Sequence, residues 1–298
     1  MKYHPSLGSK AFDVANYIIL SLLVASIAYP FIYMFSVSVS DAREVALFNV
    51  KFLPKGLQWE AYKTVFNQRE TVRSYWNSIL YTSVGTCLAV LFSSFAAYPL
   101  SRKKFKARSI FIIIFTITMF FNGGIIPGFL NIQRLGLINT LWAIVLPPAF
   151  AMRNIILIRT NFQQVPESLI ESAYLDGAND WYILFKIVLP LSKAILATIA
   201  VFASVGLWNS YFPPLLYLTS SEKAPLTIIL RRILVANEVL QSGQDMFMDS
   251  RSNSIAYQGK VMSIRMATIF VTIGPIVLIY PFVQKYFVKG VMIGSLKG

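Results

Sequence analysis

Few residues of this chain are equipped for chemistry, and those few are gathered into short stretches. There is one histidine, His4, and one cysteine, Cys87. Neither a metal cluster nor a disulfide framework can be assembled from them, and Cys87 reads as a small packing residue in an apolar segment. The acids fall in blocks: none lies between Glu70 and Glu167, none between Asp180 and Glu222, and none after Asp249. A nucleophile with its base, a carboxylate pair or a set of metal ligands cannot be composed from what remains. No glycine-rich loop leads into Lys and Ser or Thr, so the chain has no cradle of its own for a nucleoside triphosphate. The expectation is a non-enzyme that binds no metal or cofactor itself.

Three stretches do combine polar groups usefully. The first is an acidic elbow between Pro166 and Pro190, containing Glu171, Ser172, Ala173, Asp176, Gly177, Ala178, Ile187 and Leu189. The second sets Trp208, Asn209 and Tyr211 close together. Aromatic faces stack on sugar C–H surfaces and amides bond sugar hydroxyls, so this group suits a sugar pathway. The same rings equally suit anchors at the membrane interface. The third is Asn122 beside Gly123 and Gly124, which either faces a pathway or satisfies backbone at a kink where small residues pack between helices. Arg153 reads as a residue at the cytoplasmic end of an apolar span, snorkelling to the interface, in preference to one that reads an acidic sugar.

The elements that position the elbow follow from its residues. Pro166 fits a first helical turn, where its missing N–H would be an orphan anyway, and Glu167 favours the positive helix start. That helix runs to about Asp176. Gly177 can adopt the left-handed conformation that closes it, and Asn179 with Asp180 can cap and charge a second helix through Trp181, Tyr182, Phe185 and Leu189. The product is helix, glycine turn, helix.

Around the elbow the chain is apolar: 56% of residues are hydrophobic and 13% charged, and runs of membrane-spanning length recur. Six spans are predicted, over Phe12–Val39, Trp76–Leu100, Ser109–Leu130, Asn139–Arg159, Leu191–Leu218 and Met266–Phe287. The class is all-α and polytopic, a single transmembrane domain over residues 1–298 with the cytoplasmic elbow at 160–190 inside it. Lys2, Lys10 and the small residues Ser26-Ile27-Ala28 resemble a signal peptide. Apolar character continues to Val39, so an uncleaved first helix is expected. The loop Ser101–Arg108 carries Arg102, Lys103, Lys104, Lys106 and Arg108 with no acid, which places it in the cytoplasm. Both termini and the elbow then lie there too, while Ser40–Ser74 and Thr219–Ser263 face outward. The net charge of +14 sits mainly in membrane flanks and loops, where lipid and topology account for it and nucleic acid need not. The alternative reading is an ion-coupled secondary transporter. No predicted span carries an acid except at the edge of the first, Asp13, so a proton has no carrier. Sodium coupling through carbonyls would call for broken helices in two matched halves, and the sequence shows no convincing internal repeat.

The elbow resembles the EAA loop of ABC-importer permeases: Glu171, a small residue, Ala173, three residues, Gly177, nine residues, then Ile187-x-Leu189-Pro190. Ser172 stands where that family usually has Ala and keeps the helix face small. The match rests on its context, because an amphipathic hairpin on the membrane surface could share the composition. Gly206-Leu207-Trp208-Asn209-Ser210-Tyr211-Phe212 with Pro213, Pro214 and Leu215 is similar to the fifth-span pattern of maltose-type sugar permeases. Lys289-Gly290-Val291-Met292-Ile293-Gly294 through Lys297-Gly298 is similar to their tail, which in the family can approach the ATPase pair. The tail and the long segment before it are closest to permeases for oligosaccharides from pectin or alginate.

The resemblance implies a type I ABC-importer permease fold in the bacterial cytoplasmic membrane, with the elbow as the coupling helix that docks on an ATPase. It implies a second related permease, two ATPase subunits that use ATP and Mg, an extracytoplasmic solute-binding protein, a sugar substrate and membrane lipid as partners. Within Thr219–Ser263 the stretch Leu226–Leu240 reads as an amphipathic helix, with Arg231 and Arg232 as the expected contact for the binding protein. A solvated connecting loop is the plainer reading of the same segment.

Overall fold

In a computed structural model the protein is helical, with no strand among its described residues, which are 7–121, 123–233, 235 and 251–295. The helices are α1 (Leu7–Ser38), α2 (Ala42–Ala46), α3 (Glu60–Asn67), α4 (Arg69–Ser101), α5 (Arg108–Phe120), α6 (Ile125–Arg134), α7 (Trp142–Ala149) and α8 (Met152–Phe162). There follow α9 (Glu167–Leu175), α10 (Asp180–Leu191), α11 (Lys193–Trp208), α12 (Phe212–Tyr217), α13 (226–233) and α14 (Arg251–Ser295). Three stretches are unbroken and long and apolar enough to cross a membrane: Gly8–Ser38, Arg69–Ser101 and Ile255–Leu278. Three bent pairs, α5 with α6, α7 with α8 and α10 with α11, bring the number of spans among the described residues to six when each pair is counted as one span. The all-α, six-span expectation therefore holds.

The predicted boundaries need correction at the breaks. The α7–α8 span bends by 44°. Pro147 and Pro148 lack the N–H groups that would tie their turn to the one before, and Ala151 is extended with ψ 113°. The fifth span bends by 81° between α10 and α11, and a π-helical turn over Ile183–Val188 immediately precedes Pro190. Widening the helix there accommodates the proline ring, which would otherwise meet the carbonyl four residues back. That span ends at Trp208, not Leu218, and α12 is a separate short helix. The last span starts at Ile255 rather than Met266. Its first turns are polar enough to read as loop, yet Lys260 is paired with Glu60 at 2.6 Å.

The chain divides into two compact units, Met1–Arg69 with Leu230–Gly274, and Glu70–Ile229 with Pro275–Gly298. In the first, Val37, Val45 and Val50 close on Met262 and Met266, and Ala61 and Val65 on Ala267. Ser38 shares a 3.0 Å hydrogen bond with the Tyr62 hydroxyl. Gly259 admits the backbone of α2: a Cβ there would collide with the Ala42 carbonyl oxygen. In the second unit α4 is the central post. Its buried face repeats Ser78, Tyr81, Gly85, Ala89, Ser93 and Ala97 at helical spacing, all but Tyr81 small residues that let neighbouring helices approach closely. The core at its end joins Ala97, Ile158, Phe162, Ile170, Ile183 and Val188, so α4, α8, α9 and α10 are packed together.

Candidate functional site: the elbow and a cavity at a broken span

The elbow forms as its residues require. Gly177 has φ +81°, its N–H donates to Tyr174 O at 3.0 Å, and the Ala178 N–H donates to Ala173 O at 2.9 Å. These two bonds define a Schellman closure, with Ala178 packed on the core to which Ala173 belongs. A Cβ on Gly177 would meet nothing within 4 Å, so backbone conformation and not space demands the glycine. Asn179 then caps α10, its Oδ1 accepting from the Tyr182 N–H at 2.8 Å.

Asp180 locks the two halves. Its Oδ1 accepts from the Tyr174 hydroxyl at 2.7 Å and from the Tyr98 hydroxyl of α4 at 3.1 Å. The hydrogen bond to Asp180, aided by burial, raises the Tyr174 pKa above its ordinary value. The basic loop after α4 lies on the same side: Lys103 pairs with Glu167 at 2.9 Å, and Lys104 sits over the Tyr174 ring at 5.0 Å. The hydrogen bond and charge of Lys103 hold the Glu167 carboxyl below the usual carboxylate value. Between the loop, α4, α9 and α10 lies a cavity of about 530 Å³ bordered by Tyr98, Arg102, Glu171 and Trp181.

The predicted elbow residues separate into two sets. Ala173 is buried, and Ala178, Ile187 and Leu189 pack against the same core. Glu171, Ser172, Asp176, Gly177 and Pro190 are exposed, and the Ser172 hydroxyl donates to Ser168 O at 2.9 Å. Leu175, which the sequence did not single out, is 89% exposed at the end of α9. An apolar side chain presented so fully beside acidic neighbours is of the kind that partner surfaces cover.

A second cavity, of about 340 Å³, opens at the α7–α8 break. Gly206, Leu207, Ser210 and Pro213 line it, together with Tyr217, Asn154 and Arg153. The stretch Gly206–Leu215 therefore does reach a cavity, through residues other than the expected ones. Trp208 is only 8% exposed and stacks edge-on against Tyr75 at 6.0 Å, packed within the protein. Asn209 and Tyr211 are exposed at the helix end and do not border the cavity. Asn122 lies outside the described residues. Arg231 and Arg232 are exposed on α13, while the rest of the predicted Leu226–Leu240 helix, apart from Val235, lies outside them. Arg153 is not at the end of its span. Arg159 holds that place, donating from Nε to Leu100 O at 2.9 Å, and Arg153 lies six residues further along.

Six apolar spans with a rigid helix–turn–helix elbow between the fourth and fifth define a membrane transport permease, not an enzyme. The chain belongs to the family described as binding-protein-dependent transport system inner membrane component, which matches residues 89–293. It is 37% identical to Protein LplC of Bacillus subtilis (strain 168), over 99% of this chain and 98% of that protein. It is also 37% identical to the polygalacturonan/rhamnogalacturonan transport system permease protein YtcP of the same strain, over 98% and 100%. A chain from the crystal structure of a bacterial ABC transporter involved in the import of the acidic polysaccharide alginate superposes with a TM-score of 0.85 at 33% identity, covering 96% of this chain and all of that one.

Proposed function

We propose that the chain is one of two related permease subunits of an ATP-driven importer that carries an oligosaccharide across a bacterial cytoplasmic membrane. The observation that carries this reading is the elbow: a short helix closed by Gly177, cross-tied through Asp180 to α4 and turning an exposed face of Glu171, Ser172, Leu175 and Asp176 outward. Such a part transmits a push, because displacement of α9 is handed directly to three spans through one packed core. Two ATPase subunits, the users of ATP and Mg, dock on this face, and an extracytoplasmic solute-binding protein delivers the sugar from the other side. The basic loop from Arg102 to Arg108 lies against the elbow, which supports a cytoplasmic position for both and for the termini. The polysaccharides named for the relatives support an oligosaccharide as cargo. Arg231 and Arg232, on the opposite side of the membrane in this topology, receive the binding protein.

Reconstitution of the full transporter in vesicles tests the reading. Uptake of labelled oligosaccharide is expected to require ATP on the elbow side and to survive an uncoupler. Reversing Arg231 and Arg232 to Glu is expected to weaken stimulation of ATP hydrolysis by loaded binding protein and to leave basal hydrolysis intact. Uptake that persists without nucleotide and collapses with the uncoupler overturns the assignment in favour of a secondary transporter.

A further inference from the structure

Arg153 stands within a membrane span and has no counter-charge among the described residues. It is the second residue of α8, directly after the break that divides the Trp142–Phe162 span. From Arg159 at the elbow end it lies six residues deeper, about 9 Å along a helix. Side chains on a helix tilt toward its N-terminus, and the N-terminus of α8 is the end inside the span. Arg153 therefore leans away from the near interface, against the direction that snorkelling would need. Among the described residues it makes no ion pair and no hydrogen bond.

A charge at such depth is retained where it lines a water-filled route or meets a partner. Arg153 is exposed, and it is the only charged residue among those lining the 340 Å³ cavity at the break. Its neighbour Asn154, 5% exposed, also borders the cavity and has a buried Oδ1 without a hydrogen-bond partner. The first turn of α8 carries no side-chain cap, so its backbone N–H groups add positive potential to the same place. Ser210 supplies a hydroxyl, and Tyr217 an aromatic ring stacked on Phe129. An acid-free cavity with one guanidinium, an amide, a hydroxyl and a ring matches a sugar that bears a carboxylate, which a guanidinium holds through two parallel hydrogen bonds.

We propose that Arg153 is the specificity-determining residue of the translocation pathway and that the cargo is an oligosaccharide of uronic acids, its carboxylates read one at a time at the α7–α8 break. The inference rests on the permease reading above. The test uses the complete reconstituted transporter with two probes, trigalacturonate and its fully methyl-esterified, neutral form. Arg153→Gln is expected to slow uptake of trigalacturonate about tenfold or more, the effect of losing a hydrogen-bonded charge. It should leave uptake of the ester and ATP hydrolysis stimulated by binding protein unchanged. Arg153→Lys keeps the charge and is expected to retain most uptake of the acid. Equal uptake of the acid by wild type and Arg153→Gln overturns the proposal. So does an assembled Arg153→Lys variant that loses acid and ester alike, and this arm decides the matter if Arg153→Gln fails to assemble. Failure of the wild type to import either probe with ATP strikes at the carbohydrate reading instead, so the two failures are distinguishable.

Discussion

Asp180 and Arg153 both stand in the first turn of a helix that follows a break, and the chain treats them in opposite ways. Asp180 accepts hydrogen bonds from two phenols on two other helices, in a turn already closed by two backbone bonds and capped by Asn179. Arg153 meets neither acid nor carbonyl among the described residues and shares its cavity with an unpartnered amide oxygen. The difference fits the roles proposed for the two places, a lever and a passage. A lever has to move as one piece, so its polar groups are satisfied internally and each bond stiffens the next. A passage has to meet a succession of hydroxyls and charges, so its polar groups remain available for them.

The strongest way to break the comparison is to unfold the lever's turn. Gly177→Val forces a β-branched residue to φ +81°, a strain of about 1–3 kcal/mol that the chain relieves by leaving the turn. ATP-driven uptake is expected to fall to background, with membrane insertion intact and the ATPase subunits lost on co-purification. Glu171→Lys, on the exposed face, is expected to do the same without touching the turn. Because nothing lies within 4 Å of a Cβ at this position, Gly177→Asn, which tolerates the left-handed region, is expected to keep most of the transport. Equal loss with Asn and Val would show that the surface of the ATPase, and not the backbone, sets the glycine.

A smaller effect sharpens the claim that the lever is a single piece. Asp180→Ala leaves the hydroxyls of Tyr98 and Tyr174 without their acceptor, a loss of about 1–3 kcal/mol. A lower Tm of the detergent-purified complex is expected, with less hydrolysis coupled to transport. In a cycle with Tyr174→Phe the two losses should fall well short of adding, since both remove the same bond. Strict additivity would mean that Asp180 acts elsewhere.

The elbow was legible in the sequence because its signals are local. Pro166, Gly177 and Asn179 each dictate a backbone conformation within a few residues, and the observed caps sit on those residues. The six spans were legible from hydropathy, but their breaks were not. Pro147 with Pro148, and Pro190 with the π-helical turn before it, mark bends whose size depends on packing against α4 and α8, which hydropathy does not report. Trp208 misled because an aromatic ring beside an amide looks the same whether it faces a sugar or Tyr75. Arg153 was misplaced for a simpler reason. It was read as snorkelling from the cytoplasmic end of its span, although six residues of helix separate it from Arg159 and carry it well into the span. Counting that rise would have marked it as an intramembrane charge.

The smallest expected effect separates the lever's stiffness from its surface charges. Lys103 and Glu167 are an exposed pair, with side chains 77% and 56% accessible, and water screens such pairs strongly. Lys103 lowers the Glu167 pKa in the folded protein, so the pair stabilises the fold above the unfolded carboxylate value of about 4.3. That contribution disappears as pH falls through the lower folded value. The Tm difference between wild type and Glu167→Gln is therefore expected to be slight and constant from about pH 7 to 5, and to close as the carboxylate protonates below about pH 4. Lys103→Met should produce the same slight difference, and added salt should shrink both. Thermal unfolding of the purified complex across this range checks the expectation. A large difference that survives at the lowest pH would make the exposed pair a principal tie of the elbow. A slight one that vanishes there leaves the stiffness with Asp180 and its two phenols, of which Tyr98 is buried on α4.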